Sequence, residues 1–96
     1  MYFTVGVLNL HLILPGCRSL KEKRSRIKPL LARLHREFNL STAEIGHQDN
    51  WQETQVACAM ISNDKIYNQK VFQEVIQFIE NHFPDMQLTE HKIEHI

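Results

Sequence analysis

The sequence predicts an α+β fold with the element order β-α-β-β-α-β. Three observations carry that reading. An alternating apolar run opens the chain, two helix-period segments each follow a capping motif, and a continuous apolar run lies between them.

Residues 2–14 place Leu8, Leu10, Leu12 and Leu14 on one face and Asn9 and His11 on the other, the period of a half-buried strand. Val5 and Val7 share the second face, so an exposed apolar patch suited to a dimer contact is expected there. Pro15-Gly16 ends the strand. Ser19 followed by Glu22 has the form of a capping box. Leu20, Ile27, Leu30, Leu31, Leu34 and Phe38 then fall on one side of a helix. Lys23 falls on that side too, so it either snorkels or belongs to a separate turn. Pro29 points away from the stripe, where water satisfies the carbonyl it leaves unpaired.

Asn39 can close this helix. Residues 40–47 read as a second strand with Ala43 and Ile45 inward. The polar segment His47-Gln48-Asp49-Asn50-Trp51-Gln52 connects it to a third strand near 54–62. The run Val56-Ala57-Cys58-Ala59-Met60-Ile61 predicts burial on both faces of that strand. Ser62-Asn63-Asp64 caps a second helix over 65–83, with Val71, Phe72, Val75, Ile76, Phe78, Ile79 and Phe83 making its apolar side. Pro84-Asp85 stops it, and residues 86–95 form a weakly alternating last strand. Two βαβ halves with right-handed crossovers specify a ferredoxin-like sandwich. Its four-stranded antiparallel sheet has the order 4-1-3-2, with both helices on one face.

The length of 96 residues fits one domain over 1–96, and 43% hydrophobic with 23% charged residues is too apolar for disorder. Cys17 and Cys58 share no motif spacing, so free thiols in a reducing cytoplasm are expected, Cys17 as a plain exposed one. The leader-like Leu14-Pro15-Gly16-Cys17 lacks a basic region before it, the first basic residue being Arg18, and no apolar run approaches a membrane span. The sequon at Asn39 therefore carries no weight.

The chain is neutral overall but not locally. Residues 18–37 hold eight basic side chains against two acidic ones, a net +6, and the remainder holds three against nine. Arg18, Lys21, Lys23, Arg24, Arg26 and Lys28 are therefore candidate phosphate contacts, against the alternative of a solvated helix face. His47 and Asp49, two apart in an extended segment, would share a face about 7 Å apart and are candidates for acid–base work. Trp51 is a candidate for stacking. The competing reading is a tight turn in which Asp49 and Asn50 bond the backbone and Trp51 covers a core edge. His91 and His95 on a strand lie about 13 Å apart and cannot share an ion. His11 comes near one of them if the last strand pairs with the first. No metal or cofactor motif is present in the spacings.

Several segments together resemble the YlxP family of small bacterial proteins with no assigned function. These are Val5-Gly6-Val7-Leu8, Ser19-Leu20-Lys21-Glu22-Lys23-Arg24-Ser25, Ala43-Glu44-Ile45 with His47–Gln52, and Ile61-Ser62-Asn63-Asp64. The resemblance runs nearly end to end. It implies a ferredoxin-like fold and genes neighbouring those of translation-initiation and ribosome-maturation factors, and it supplies no catalytic residue. Asn9 and His11 stand where members often carry acids, Cys17 and Pro29 are atypical, and Thr42 replaces an apolar residue.

The function expected is a non-enzymatic accessory protein that binds RNA or a ribosomal particle. Its basic helix would touch phosphate, and His47, Gln48, Asp49, Trp51 and Gln52 would touch RNA or protein. Two alternatives stand beside it: a homodimeric small-ligand or protein-binding module, and a small enzyme built on His47 and Asp49.

Overall fold

Period-two alternation does what its physics requires in the computed structural model, which describes residues 2–96. Leu8, Leu10 and Leu12 on β1 (Thr4–Ile13), with Leu14 just beyond it, are fully buried. Each removes an aliphatic side chain from water, about 2 kcal/mol apiece. The elements α1 (Leu20–Phe38), β2 (Ser41–Gly46), β3 (Glu53–Ser62), α2 (Lys65–His82) and β4 (Gln87–His95) follow in the expected order. The sheet order is β2-β3-β1-β4 with every pairing antiparallel, the ferredoxin-like arrangement. Both helices pack their apolar sides on one sheet face, where Ile27, Leu30, Leu34, Phe72, Val75 and Ile79 meet the strand residues in a single core.

The caps act as the sequence indicates. The Ser19 hydroxyl accepts from the Glu22 amide at 3.0 Å, and the Glu22 carboxylate accepts from the Arg18 amide at 3.1 Å. Asn39 closes α1 in the left-handed region at φ 51°. Asp64 caps α2 by accepting from the Ile66 amide at 2.9 Å.

Three sequence expectations are corrected. In β2 the inward positions are Thr42 and Glu44, while Ala43 and Ile45 are exposed. Glu44 turns inward because a buried cation waits for it there. β3 is covered on one face only: Thr54, Val56 and Cys58 are buried, but Gln55, Ala57 and Ala59 stay half-exposed. Cys17 is fully buried rather than exposed, its thiol directed at the Ser19 carbonyl at 3.6 Å. Asn68 is a buried residue that periodicity missed. It accepts a 2.6 Å hydrogen bond from Ser62 and lies against β1.

Gly6 sets the approach of α2 to the sheet. A Cβ there would stand 2.8 Å from the buried Phe72 ring. Gly6→Ala is therefore expected to destabilise the fold by about 1–3 kcal/mol in urea unfolding, despite alanine's better strand entropy; a neutral result would show that α2 can retreat at no cost. Both thiols are enclosed, and burial pushes the Cys58 thiol up to about 12. A disulfide reagent is expected to leave native protein unlabelled on the timescale in which guanidinium-unfolded protein reacts at two thiols.

Candidate functional site

On the open face of the sheet, the ends of β1 and β3 come beside the β2–β3 loop. His11 is flanked by Gln55 on β3 and Glu90 on β4, and Glu53 lies two residues before Gln55, on the same face. The loop then delivers His47. His11 Nε2 lies 3.7 Å from Glu53 Oε1, and His47 Nδ1 lies 3.7 Å from Glu53 Oε2. The two rings stand 5.4 Å apart, tilted by 50°. Their best-placed nitrogen and oxygen atoms all lie within 4.8 Å of one another. Two imidazoles and a carboxylate in that arrangement can share a proton or hold a transition-metal ion.

Each member of this cluster is held from behind. β4 carries an irregularity opposite His11: His11 pairs with Glu90 and Leu12 with Leu88, which leaves Thr89 unpaired in the ladder. The Thr89 hydroxyl donates to the His11 carbonyl at 3.3 Å and lies 2.7 Å from His11 Nδ1. A hydroxyl has one proton: with it on the carbonyl, Nδ1–H donates to Thr89 and the Nε2 lone pair faces Glu53; with it on Nδ1, Nε2 carries the proton toward Glu53. Glu53 is held in turn by Asn50, whose side-chain amide donates to Oε2 at 3.2 Å and whose Oδ1 accepts from the Glu53 and Gln52 amides.

The loop itself is fixed by Lys23. Its ammonium group is buried, 2.9 Å from Glu44 Oε2 and donating to the His47 carbonyl at 2.5 Å. The same Glu44 oxygen accepts from Thr54 at 2.6 Å. The His47 carbonyl also accepts from the Asn50 amide at 3.0 Å, closing a turn. His47 thus sits in the left-handed region at φ 59°, which costs a non-glycine residue about 1 kcal/mol and directs its ring to the open face.

The residues singled out in the sequence separate accordingly. Lys23 is neither snorkelling nor on a separate turn but a structural cation. Arg26 is occupied as well, donating to the carbonyls of Pro15 and Asp85 at 3.3 and 2.8 Å. Arg18, Lys21, Arg24 and Lys28 remain exposed. In the loop the turn breaks the extended geometry on which a His47–Asp49 pair depends, and the carboxylate facing His47 is Glu53. Asn50, not Asp49, bonds the loop backbone. Gln48 and Asp49 are exposed, and Trp51 is 52% exposed rather than covering a core edge. Gln52 is a brace: its carbonyl accepts from the Leu14 amide at 2.8 Å and its side chain donates to the Cys17 carbonyl at 3.4 Å. His91 and His95 pair opposite Leu10 and Gly6, four strand positions apart along β1. Sequence spacing missed His11, Glu53 and Thr89 because their convergence depends on strand register. The one available signal was a histidine on the polar side of an apolar strand.

Residues 5–93 match the model of the DUF503 family, described as a protein of unknown function. The uncharacterized protein YlxP of Bacillus subtilis (strain 168) is 38% identical over 85 residues, which span 88% of this chain and 91% of that protein. The de novo designed protein Foldit4 superposes with a TM-score of 0.55 at 17% identity, covering 97% of this chain and 96% of its own. A mutant of SnoaB, a cofactor-independent oxygenase from Streptomyces nogalater, superposes with a TM-score of 0.50 at 10% identity, covering 97% and 90%. Both structural likenesses speak to the fold alone.

Replacing Lys23 by methionine strands the Glu44 carboxylate and frees the His47 carbonyl. Lys23→Met is expected to lose about 3 kcal/mol in urea unfolding, and Lys23→Met with Glu44→Gln to recover much of it. Equal losses in the two proteins would mean that packing, not the ion pair, dominates the site.

Proposed function

We propose, on the premise that this chain belongs to the DUF503 family of proteins of unknown function, that it is a non-enzymatic accessory protein that binds RNA in a ribosomal particle along the outer side of α1. The observation that carries this reading is how the basic charge of residues 18–37 divides. Lys23 and Arg26 are consumed by internal contacts, and Arg33 lies over the Phe78 ring at 4.8 Å. Lys21, Arg24 and Lys28 are left exposed in one stripe at spacings of three and four, with Arg18 before them and Arg36 beyond. None of these five has an acidic side chain within ion-pair distance among the described residues. A cationic row without internal partners is suited to phosphate, which it binds by releasing counterions and without reading sequence.

The open sheet face is the less suitable surface for nucleic acid. Its central strands carry Val5, Val7, Ala57 and Ala59 rather than aromatic platforms, and Glu53, Glu90 and Glu94 add negative charge. The same half-exposed apolar centre, with Ile61 65% exposed beside it, favours a second reading in which two copies associate through this face.

Co-sedimentation with ribosomal subunits at low and moderate salt tests the conclusion. Retention at moderate salt is expected to be lost in Lys21→Glu with Lys28→Glu. The logarithmic salt slope should flatten by about 1.4, the share of two phosphate contacts to single strands. Retention unchanged by the double variant would sink the α1 assignment. Absence of retention, with a molecular mass that rises with concentration, would move the conclusion to the second reading.

A further inference from the structure

We propose that His11 Nε2, His47 Nδ1 and the Glu53 carboxylate form a binding site for one divalent transition-metal ion of the zinc class, with a coordination position left open on the sheet face. The inference is independent of the reading of α1, since the cluster lies on the opposite face of the sheet.

The spacing carries the argument. A direct hydrogen bond between imidazole and carboxylate needs about 2.7–3.2 Å, and both contacts here are 3.7 Å. The pairs are too far apart to satisfy each other. They are near the separation of two donors on one tetrahedral ion, about 3.4 Å for metal–ligand bonds of about 2.1 Å. The widest spacing, within 4.8 Å, closes by at most about 1.4 Å, and the His47 side chain, 42% exposed on a loop, has the freedom to close it.

The surroundings fit the same reading. A metal-ligating imidazole presents one nitrogen to the ion and donates the other N–H to a fixed acceptor. His11 is placed to do this: in the tautomer protonated at Nδ1, the N–H donates to Thr89 and Nε2 is left for the ion. Asn50 orients Glu53 through Oε2, and Lys23 sets the backbone that presents His47. The three ligands come from three separate segments of the chain. Each is positioned by a contact that the hydrophobic core does not require.

The donor set selects the ion. Two imidazoles and one carboxylate suit zinc, cobalt or nickel, whereas magnesium and calcium prefer oxygen alone. Three protein ligands leave a fourth position, which opens into a cleft of about 270 Å³ shared with Gln55 and Glu90. Water or a small ligand with an oxygen donor fits there.

Titration of chelator-treated protein with Zn²⁺ by calorimetry tests the site, with Co²⁺ absorption as a report on geometry. One ion per chain is expected to bind in the micromolar range or tighter, and excess Mg²⁺ should not displace it. His11→Ala, His47→Ala and Glu53→Gln should each weaken binding at least tenfold while retaining the wild-type circular dichroism. Thr89→Val, a change behind a ligand, should weaken it by about tenfold. A variant lacking the other four histidines, His35, His82, His91 and His95, should bind as the wild type does. Undiminished binding in the three ligand variants, loss in the four-histidine variant, or no saturable binding by the wild type would each overturn the proposal.

Discussion

The structure around the open face depends on a single ammonium group. Lys23 sits in the first turns of α1 with its side chain 2% exposed, and stripping a cation of water costs several kcal/mol unless its donors are met. Glu44 supplies the countercharge and Thr54 shares the same carboxylate oxygen. The His47 carbonyl accepts a further hydrogen bond from the ammonium group. These contacts join a helix, two strands and the loop between the strands. The choice of inward residue in β2, the left-handed backbone at His47 and the direction of its ring all follow from satisfying that charge.

The one-sided helix layer has a second effect. It removes the leucine faces of β1 and β3 from water and leaves the other faces with a mixed task. The middle of the open face is small and apolar, while its lower end carries His11, His47 and Glu53. Positive charge is meanwhile gathered on the outside of α1. Two chemically different surfaces therefore stand on opposite sides of a thin two-layer sandwich, and buried Lys23 ties α1 to the loop between them through an ion pair and a hydrogen bond.

Much of the fold was legible because local periodicity decides it. The four leucines from Leu8 to Leu14, the Ser19–Glu22 cap and the apolar side of α2 each depend on neighbours a few residues away. Legibility fails where the deciding partner is distant. Lys23 was anomalous on the helical wheel, yet its acceptor at His47 lies 24 residues on. The β2 alternation in the sequence is one residue out of phase with the structure, since Ile45 is the more apolar residue and only the buried ammonium explains why Glu44 goes inward. The third strand looked doubly buried because small residues such as Ala57 and Ala59 tolerate a half-exposed face as well as a core. The cluster of His11, His47 and Glu53 could not be read from spacing, because it assembles through register between β1 and β3 and through one loop conformation.

The interruption of β4 at Thr89 bears on how the molecule meets its own kind. β4 is a sheet edge, and a regular edge offers unpaired amides and carbonyls that another chain can adopt as a template. The extra residue puts the two halves of that edge out of step, and Glu90, Lys92 and Glu94 beside it discourage a flat approach. The irregularity that steadies one imidazole thereby also guards the protein against growing into a ribbon, so ladder extension along this border is disfavoured at the start.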